Sequence, residues 1–273
     1  MIGSLKDRAA LRIIQDARAS DKLQPNQPVI EMTSGNMGAG LAVVCNAMNH
    51  PFIATMSIGN SPERRKILEA LGAQVILVPQ VSGAPGKVTG ADIDAAVDKA
   101  KEIAKECNGF YVDQFNNLSG VAAHHDTTGP EIYTVLEGKV NAFVAGVGTG
   151  GTLIGTASYL KEQNQNIQCI GVEPLYSSIL KTGRIEDPKH IIQGIGYGRI
   201  PPQWKEEVVD DLYGIHDDDV LHMTKELAKK EGLFVGLSSG ANLCASIKYL
   251  ASCGSDDTNV VTMLCDSGYK YSY

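Results

Sequence analysis

Three short turns and one lysine carry most of the chemistry that this sequence can offer. The turns are Thr33-Ser34-Gly35-Asn36-Met37-Gly38, Gly148-Thr149-Gly150-Gly151-Thr152 and Leu237-Ser238-Ser239-Gly240-Ala241-Asn242. Each reads as a turn into which a strand runs and from which a helix opens. At a helix start the first backbone N–H groups lack intrahelical partners, and the aligned peptide dipoles favour negative charge. Each turn is therefore a candidate anion cradle, and together they suit a ligand with several charged groups. Lys6 lies in the stretch GSLKDR, at the expected first turn of a helix. There the dipole and any desolvation both disfavour the ammonium form. A deprotonated amine can form a Schiff base with an aldehyde.

The elements that must position these groups alternate in type. Strand-like runs occur at PVIEM (28–32), PFIATMSI (51–58), AQVILVP, FYVDQF, NAFVAGV, IQCIGVEP and NVVTMLC. Between them lie helical patterns. In LKDRAALRIIQDARAS, Leu11, Ile14 and Ala17 share one face, and in SPERRKILEALG Ser61 caps, Pro62 takes the first position and Gly72 stops the helix. Strands with little internal alternation, separated by helices, predict parallel sheet covered on both faces, an α/β fold. In such folds the turns gather at the carboxyl ends of the strands. A soft boundary at NNLSG predicts two domains, residues 1–118 and 119–273.

The chain has 273 residues, 43% hydrophobic and 20% charged, with a net charge of −7. An acidic surface argues against nucleic acid as a partner. No apolar run is long enough to span a bilayer, and the N-terminus does not read as a secretory signal. Six scattered cysteines without a C-x-x-C pair read as reduced, buried small hydrophobes, which favours the cytoplasm over an oxidising compartment. His124-His125 has no carboxylate or cysteine partner at metal-ligand spacing, so it reads as structural and no metal site is expected.

The glycines admit two readings. Gly146-Val147-Gly148-Thr149-Gly150-Gly151 matches a dinucleotide fingerprint, with Glu173 at the end of the next strand as the ribose ligand of a nicotinamide dehydrogenase. The alternative is a cup for a single phosphate, to which Thr149 and Thr152 add hydroxyls. Lys6 and the 33–38 turn favour the cup: a phosphate site, a Schiff-base lysine and a second anion cradle are what pyridoxal phosphate and an amino acid require.

The segments GSLKDR, TSGNMG, ERRKILEALGAQVILV, TTGPEI, AFVAGVGTGGTLIG, GVEP, QGIG, EGLFVGLSSGA and LCDSGYKY occur in order. Together they resemble the cysteine synthase/cystathionine β-synthase family of fold-type II, tryptophan synthase β-like pyridoxal-phosphate enzymes. The resemblance implies a two-domain fold, each domain a mostly parallel twisted sheet flanked by helices, with Lys6 and the substrate-carboxylate loop in the first domain and the phosphate loop in the second. It implies that Lys6 holds the cofactor and moves the substrate α-proton, and that Gly148, Thr149, Gly150, Gly151 and Thr152 bind its phosphate. Asn36 corresponds to the residue on the 3′ oxygen of the ring and Ser238 to the residue facing the pyridine nitrogen. Thr33, Ser34, the backbone of Met37, Gln114 and Gly194 correspond to substrate-binding positions.

The implied reaction is β-replacement on an activated serine such as O-acetylserine, with sulfide giving L-cysteine by way of an α-aminoacrylate. Cystathionine β-synthase or cysteine desulfhydrase activity, or a catalytically impaired regulatory member, are the alternatives. A homodimer is implied, as is a serine acetyltransferase partner of the kind some relatives have. Three departures bear on the substrate pair: Met37 stands where the family usually has threonine, Tyr197 follows QGIG, and the loop at 81–90 is longer than usual. Family members also carry further residues ahead of the lysine, so the chain reads as truncated, with a sheet edge exposed and stability lowered.

Overall fold

The computed structural model describes residues 2–253 and 257–271, in two compact units, Met1–Ser119 and Gly120–Tyr273. The first unit runs α1 (Lys6–Ala19), β1 (Val29–Met32), α2 (Asn36–Ala47), β2 (Phe52–Ser57), α3 (Pro62–Ala70), β3 (Gln74–Val78), α4 (Gly90–Glu106) and β4 (Phe110–Tyr111). Its sheet has the order β3-β2-β1-β4, and every pair is parallel. Val29 joins a core with Ile13 and Ile14 of α1 and Leu41 of α2, whereas Ile30 packs with Ala100 and Ala104 of α4. Neighbouring residues of β1 thus enter different cores, as a doubly covered strand requires. Fully burying side chains of this size contributes about 1.5–3 kcal/mol each.

The second unit opens with α5 (Ser119–Ala123, begun at the boundary residue), one π turn (His124–Thr128) and α6 (Gly129–Val135). There follow β5 (Ala142–Gly146), α7 (Gly151–Gln163), β6 (Gln168–Pro174), α8 (Ile179–Thr182), β7 (Asp211–Ile215), α9 (Asp217–Glu226), α10 (Leu237–Cys253) and β8 (Val260–Thr262). The strand order is β7-β6-β5-β8, again all parallel. Ala142 and Val144 pack with Val220 of α9 and Ala241 of α10, while Phe143 and Ala145 pack with Leu153 and Leu160 of α7. Both units therefore have the predicted fold, a parallel sheet flanked by helices.

Several local expectations are corrected. Leu11 is 40% exposed, and the buried face of α1 is formed by Asp7, Ala10, Ile13, Ile14 and Ala17. FYVDQF yields only the two-residue β4, because Asp113 adopts φ 53° and the N–H groups of Asn116 and Asn117 turn back to its carbonyl. Ser61 is the N-cap of α3, but its side chain makes no capping hydrogen bond. The capping box is at α4, where Asp92 also accepts from the backbone N–H groups of Val81 and Ser82. The bond from the Thr89 N–H first, and then those from Val81 and Ser82, hold the Asp92 carboxyl well below the usual carboxylate range and tie the 81–90 loop to the helix. Of the six thiols, Cys45, Cys169 and Cys244 are buried, but Cys107 is exposed and Cys253 and Cys265 are half-buried.

Candidate active site

A parallel sheet binds ligands where its strand order reverses, outside the carboxyl ends of the strands. In the first unit the reversal lies between β1 and β4. The carboxyl end of β1 leads into Thr33–Gly38, and Gln114 follows β4. In the second it lies between β5 and β8, where residues 147–150 link β5 to α7. The sheet order thus accounts for two of the clusters picked out from the sequence.

Lys6 is the first residue of α1 and half-buried. Its position is set by a neighbour that the sequence reading passed over. The Asp7 carboxylate is buried and its Oδ2 accepts from the backbone N–H groups of Ile2, Gly3 and Ser4 at 3.0, 3.0 and 3.4 Å. The segment leading into Lys6 is therefore wrapped around one carboxylate. α2 braces the same turn, since a β-carbon on Gly40 would stand 3.2 Å from Ala10 Cβ and 3.3 Å from the Lys6 carbonyl. Removing the acceptor strands three backbone donors, so Asp7→Ala should lower stability by about 1–3 kcal/mol. A denaturant midpoint unchanged from the parent would disprove that role for Asp7.

In the 33–38 turn, Thr33 is buried and its Oγ1 accepts the Gly38 N–H at 2.9 Å, which folds the turn onto itself. Ser34 Oγ accepts from Arg64 Nη1 at 2.9 Å, placing a guanidinium of α3 beside the turn. Arg64 lies in an ordinary charged helix sequence, and nothing in its spacing marks it. Asn36 is half-buried at the start of α2. Met37 is 4% exposed, with its side chain in the core beside Leu41 and Leu68. The methionine thus takes its side chain out of the turn, and only its backbone is available to an anion. Gln114 donates through Nε2 to Glu31 Oε1 at 3.0 Å and to the Met32 carbonyl at 3.3 Å.

In the second unit, Gly150 is the N-cap of α7 at φ 90°, a left-handed conformation that glycine adopts without strain. The first turn of α7 directs the N–H groups of Gly151, Thr152 and Leu153 outward, since its first internal bond runs from Ile154 to Gly150. A β-carbon on Gly148 would collide with the Gly194 carbonyl oxygen, and Tyr197 lies beside the same point. QGIG is thereby packed directly against the loop that links β5 to α7. Its Gly196 N–H also donates to the Val147 carbonyl at 3.1 Å. Gly194 is exposed at φ 89° and Tyr197 is 43% exposed. His124 is buried with Nδ1 2.9 Å from Thr128 Oγ1 and Nε2 3.2 Å from Thr152 Oγ1, so this structural histidine holds a loop hydroxyl. His125 pairs instead with Asp126 and Glu162, whose hydrogen bonds raise its pKa, Asp126 first. Ser238 is the second residue of α10 and 7% exposed, and Ser239 Oγ accepts the Cys265 N–H at 2.9 Å.

The residues at 148–152 fit a phosphate ester. They are uncharged, their glycines leave no β-carbon in the turn, two hydroxyls flank it, and a helix N-terminus points outward. The dinucleotide reading fails at Glu173. That side chain is buried and receives the backbone N–H groups of Leu180 and Lys181, each at 3.1 Å, so it caps α8 and faces no ribose. Burial raises its pKa. Among the described residues no cluster of three or more His, Cys, Asp or Glu could hold a metal ion, and no helix is long and apolar enough to cross a membrane.

Two parallel α/β units with glycine-containing turns at their sheet reversals, one carrying a helix-start lysine and the other an uncharged turn that fits a phosphate, suit the class of enzymes that use a phosphorylated cofactor. The comparisons with known proteins specify it: the sequence matches the family "Pyridoxal-phosphate dependent enzyme" over residues 1–266, and the chain belongs to that family. It is 41% identical over 269 residues to cysteine synthase B of Campylobacter jejuni, covering 98% of this chain and 85% of that one. It is 40% identical over 270 residues to a cysteine synthase of Staphylococcus aureus, covering 98% and 83%. A hydrogen sulfide-producing enzyme from Fusobacterium nucleatum superposes with a TM-score of 0.90 at 36% identity, covering 99% and 86%. The cofactor is pyridoxal phosphate and the enzyme is of the cysteine synthase type.

Proposed function

We propose that this enzyme replaces the β-substituent of O-acetylserine with sulfide, releasing acetate and L-cysteine. The observation that carries this reading is the Gly148–Thr152 cradle in a chain about two-fifths identical, over nearly its whole length, to proteins named cysteine synthase. Bound pyridoxal phosphate supplies an electron sink for the bond being broken at the substrate Cα. Residues 148–152 would hold its phosphate through backbone N–H groups and the Thr149 and Thr152 hydroxyls, and Lys6 would hold its aldehyde. Asn36 donates to the ring 3′ oxygen. Ser238 would face the pyridine nitrogen with a neutral hydroxyl, which would not enforce protonation there.

Lys6 Nζ would carry the proton away from the substrate Cα and later return it. Thr33, Ser34, the Met37 N–H, Gln114 and Gly194 bind the substrate, and the guanidinium that holds Ser34 adds positive charge for its α-carboxylate. Closure of the 33–38 turn over the carboxylate keeps water from competing with sulfide. A homodimer is proposed from the family resemblance, and size-exclusion chromatography with light scattering tests it. A serine acetyltransferase partner is proposed on the same ground, and co-elution tests that.

Supplied with O-acetylserine, the holoenzyme should form cysteine with sulfide faster than it forms cystathionine with homocysteine. The reverse preference would reject the sulfide assignment. The structural likeness to a hydrogen sulfide-producing enzyme favours a second reading, in which cysteine is the donor and sulfide leaves. Sulfide release from cysteine outrunning cysteine formation would establish that direction instead.

A further inference from the structure

β1 reads Val-Ile-Glu-Met, and its Glu31 is only 1% exposed. A carboxyl buried inside a central strand is costly unless it is neutral or well bonded. Oε1 accepts from Gln114 Nε2 at 3.0 Å, but Oε2 is buried with no hydrogen-bond partner. The backbone N–H groups of Gln114 and Asp113 also favour the anion, but with Oε2 orphaned at this depth burial is the stronger effect and suits a neutral carboxyl. The same Gln114 nitrogen lies 3.3 Å from the carbonyl of Met32, the residue immediately before Thr33. Glu31 thus stands one side chain behind the turn at the carboxyl end of β1.

Its ionisable neighbours on β4 and in the turn after it are acidic or neutral. Tyr111 of β4 and Asp113 just after it interact with Glu31 electrostatically, and Asp98 of α4 acts on the same Tyr111. β2 sets Ala54 beside Glu31 and has no ionisable residue. The ionisable side chain of α2 is Cys45, whose thiol burial pushes up to about 12.

We propose that Glu31 is a positioning residue that couples substrate binding to a proton: neutral, it leaves a Gln114 N–H for the substrate α-carboxylate, and ionised, it claims that N–H and places a negative charge behind the site. The inference rests on the reading that Gln114 binds the carboxylate. An amide nitrogen has two hydrogens. The Met32 carbonyl can only accept, so it keeps one, and the second goes to whichever acceptor is stronger. A charged carboxylate makes a bond roughly twice as strong as a neutral one and outcompetes the substrate. Burial pushes the Glu31 carboxyl up to about 8, against hydrogen bonds from the Gln114 side chain and from the Gln114 and Asp113 backbones that favour the anion, and the Asp113 charge adds to the rise. The sign follows: at neutral pH the group is protonated and the site accepts the carboxylate, and as pH rises through about 8 the affinity falls. By reciprocity, a bound carboxylate raises the pH at which Glu31 ionises.

The test is binding of L-serine to the holoenzyme, by calorimetry between about pH 6.5 and 9.5, for wild type, Glu31→Gln and Gln114→Ala. L-Serine carries the same α-carboxylate and no acetyl group to migrate. In wild type the dissociation constant should climb toward about tenfold per pH unit above the Glu31 transition, beyond the change caused by the ligand's own ammonium. Glu31→Gln should show the ammonium effect alone, so the two profiles diverge. Parallel profiles would overturn the proposal. Gln114→Ala separates the two layers: if it binds L-serine as wild type does, the reading of Gln114 fails, whereas weaker binding with parallel wild-type and Glu31→Gln profiles sinks only the role of Glu31. Should Glu31→Gln not fold, infrared spectra of wild type with carbon-13-labelled glutamate decide. The protonated-carboxyl band should persist to higher pH with L-serine bound, and an unmoved midpoint would refute the coupling.

Discussion

Lys6→Ala should lower kcat/KM for cysteine formation by about 10³–10⁴-fold or more, since it removes both the proposed covalent anchor and the proposed proton carrier. The fold should survive the change. Lys6 is half-buried at a helix start, and the Asp7 carboxylate and the packing of Gly40 order that turn. Stability should therefore move by no more than about 0.5–1 kcal/mol. Steady-state rates with O-acetylserine and sulfide, read beside a thermal melt, check both halves. A variant that keeps a tenth of the parent rate would dismiss Lys6 from the chemistry. The absorbance of the bound cofactor gives a second measure, because the band of a lysine-bound pyridoxal should be missing from this variant.

Gly148→Ala should cost most of the cofactor affinity while leaving Lys6 untouched. The added methyl would collide with the Gly194 carbonyl oxygen, which is backbone and has no rotamer by which to yield. Either the phosphate loop or QGIG must move, and overpacking of this kind costs about 1–3 kcal/mol. Expressed as binding, that is roughly 5–150-fold weaker retention of pyridoxal phosphate. Gly150 differs, because its β-carbon would find its nearest neighbours at 3.7 Å and its requirement is the φ of 90°. Equilibrium dialysis after cofactor removal measures the loss. Wild-type cofactor content in Gly148→Ala, with an unshifted melting temperature, would mean that the contact between the two loops is slack.

Much of the fold was legible because parallel strands buried on both faces are written as short apolar runs. PVIEM, PFIATMSI, NAFVAGV and IQCIGVEP all contain strands for that reason. The strand missed, Asp211–Ile215, lies at the edge of its sheet and is mostly half-exposed, so it carries an aspartate and a glycine and no apolar run. Tyr111 and Val112 suggested a longer strand than β4, since the left-handed turn at Asp113 leaves no mark in residue type that outweighs its neighbours.

The site divides in the same way. The sequence by itself determined the turns at 33–38 and 148–152 and the lysine at a helix start, because glycines, hydroxyls and capping patterns act over a few residues and their chemistry is local. Tertiary structure alone decided what stands behind them: Asp7 gathering three N–H groups, Arg64 on Ser34, His124 on Thr152, Glu31 behind Gln114, and Glu173 spent on capping α8. It also decided that Met37 joins the core rather than the turn. Apart from Asp7, these partnerships join residues separated by a strand, a turn or a helix. Burial and hydrogen-bond geometry arise only when the sheets assemble, so a residue's type states what it can donate or accept and the packed fold states to whom.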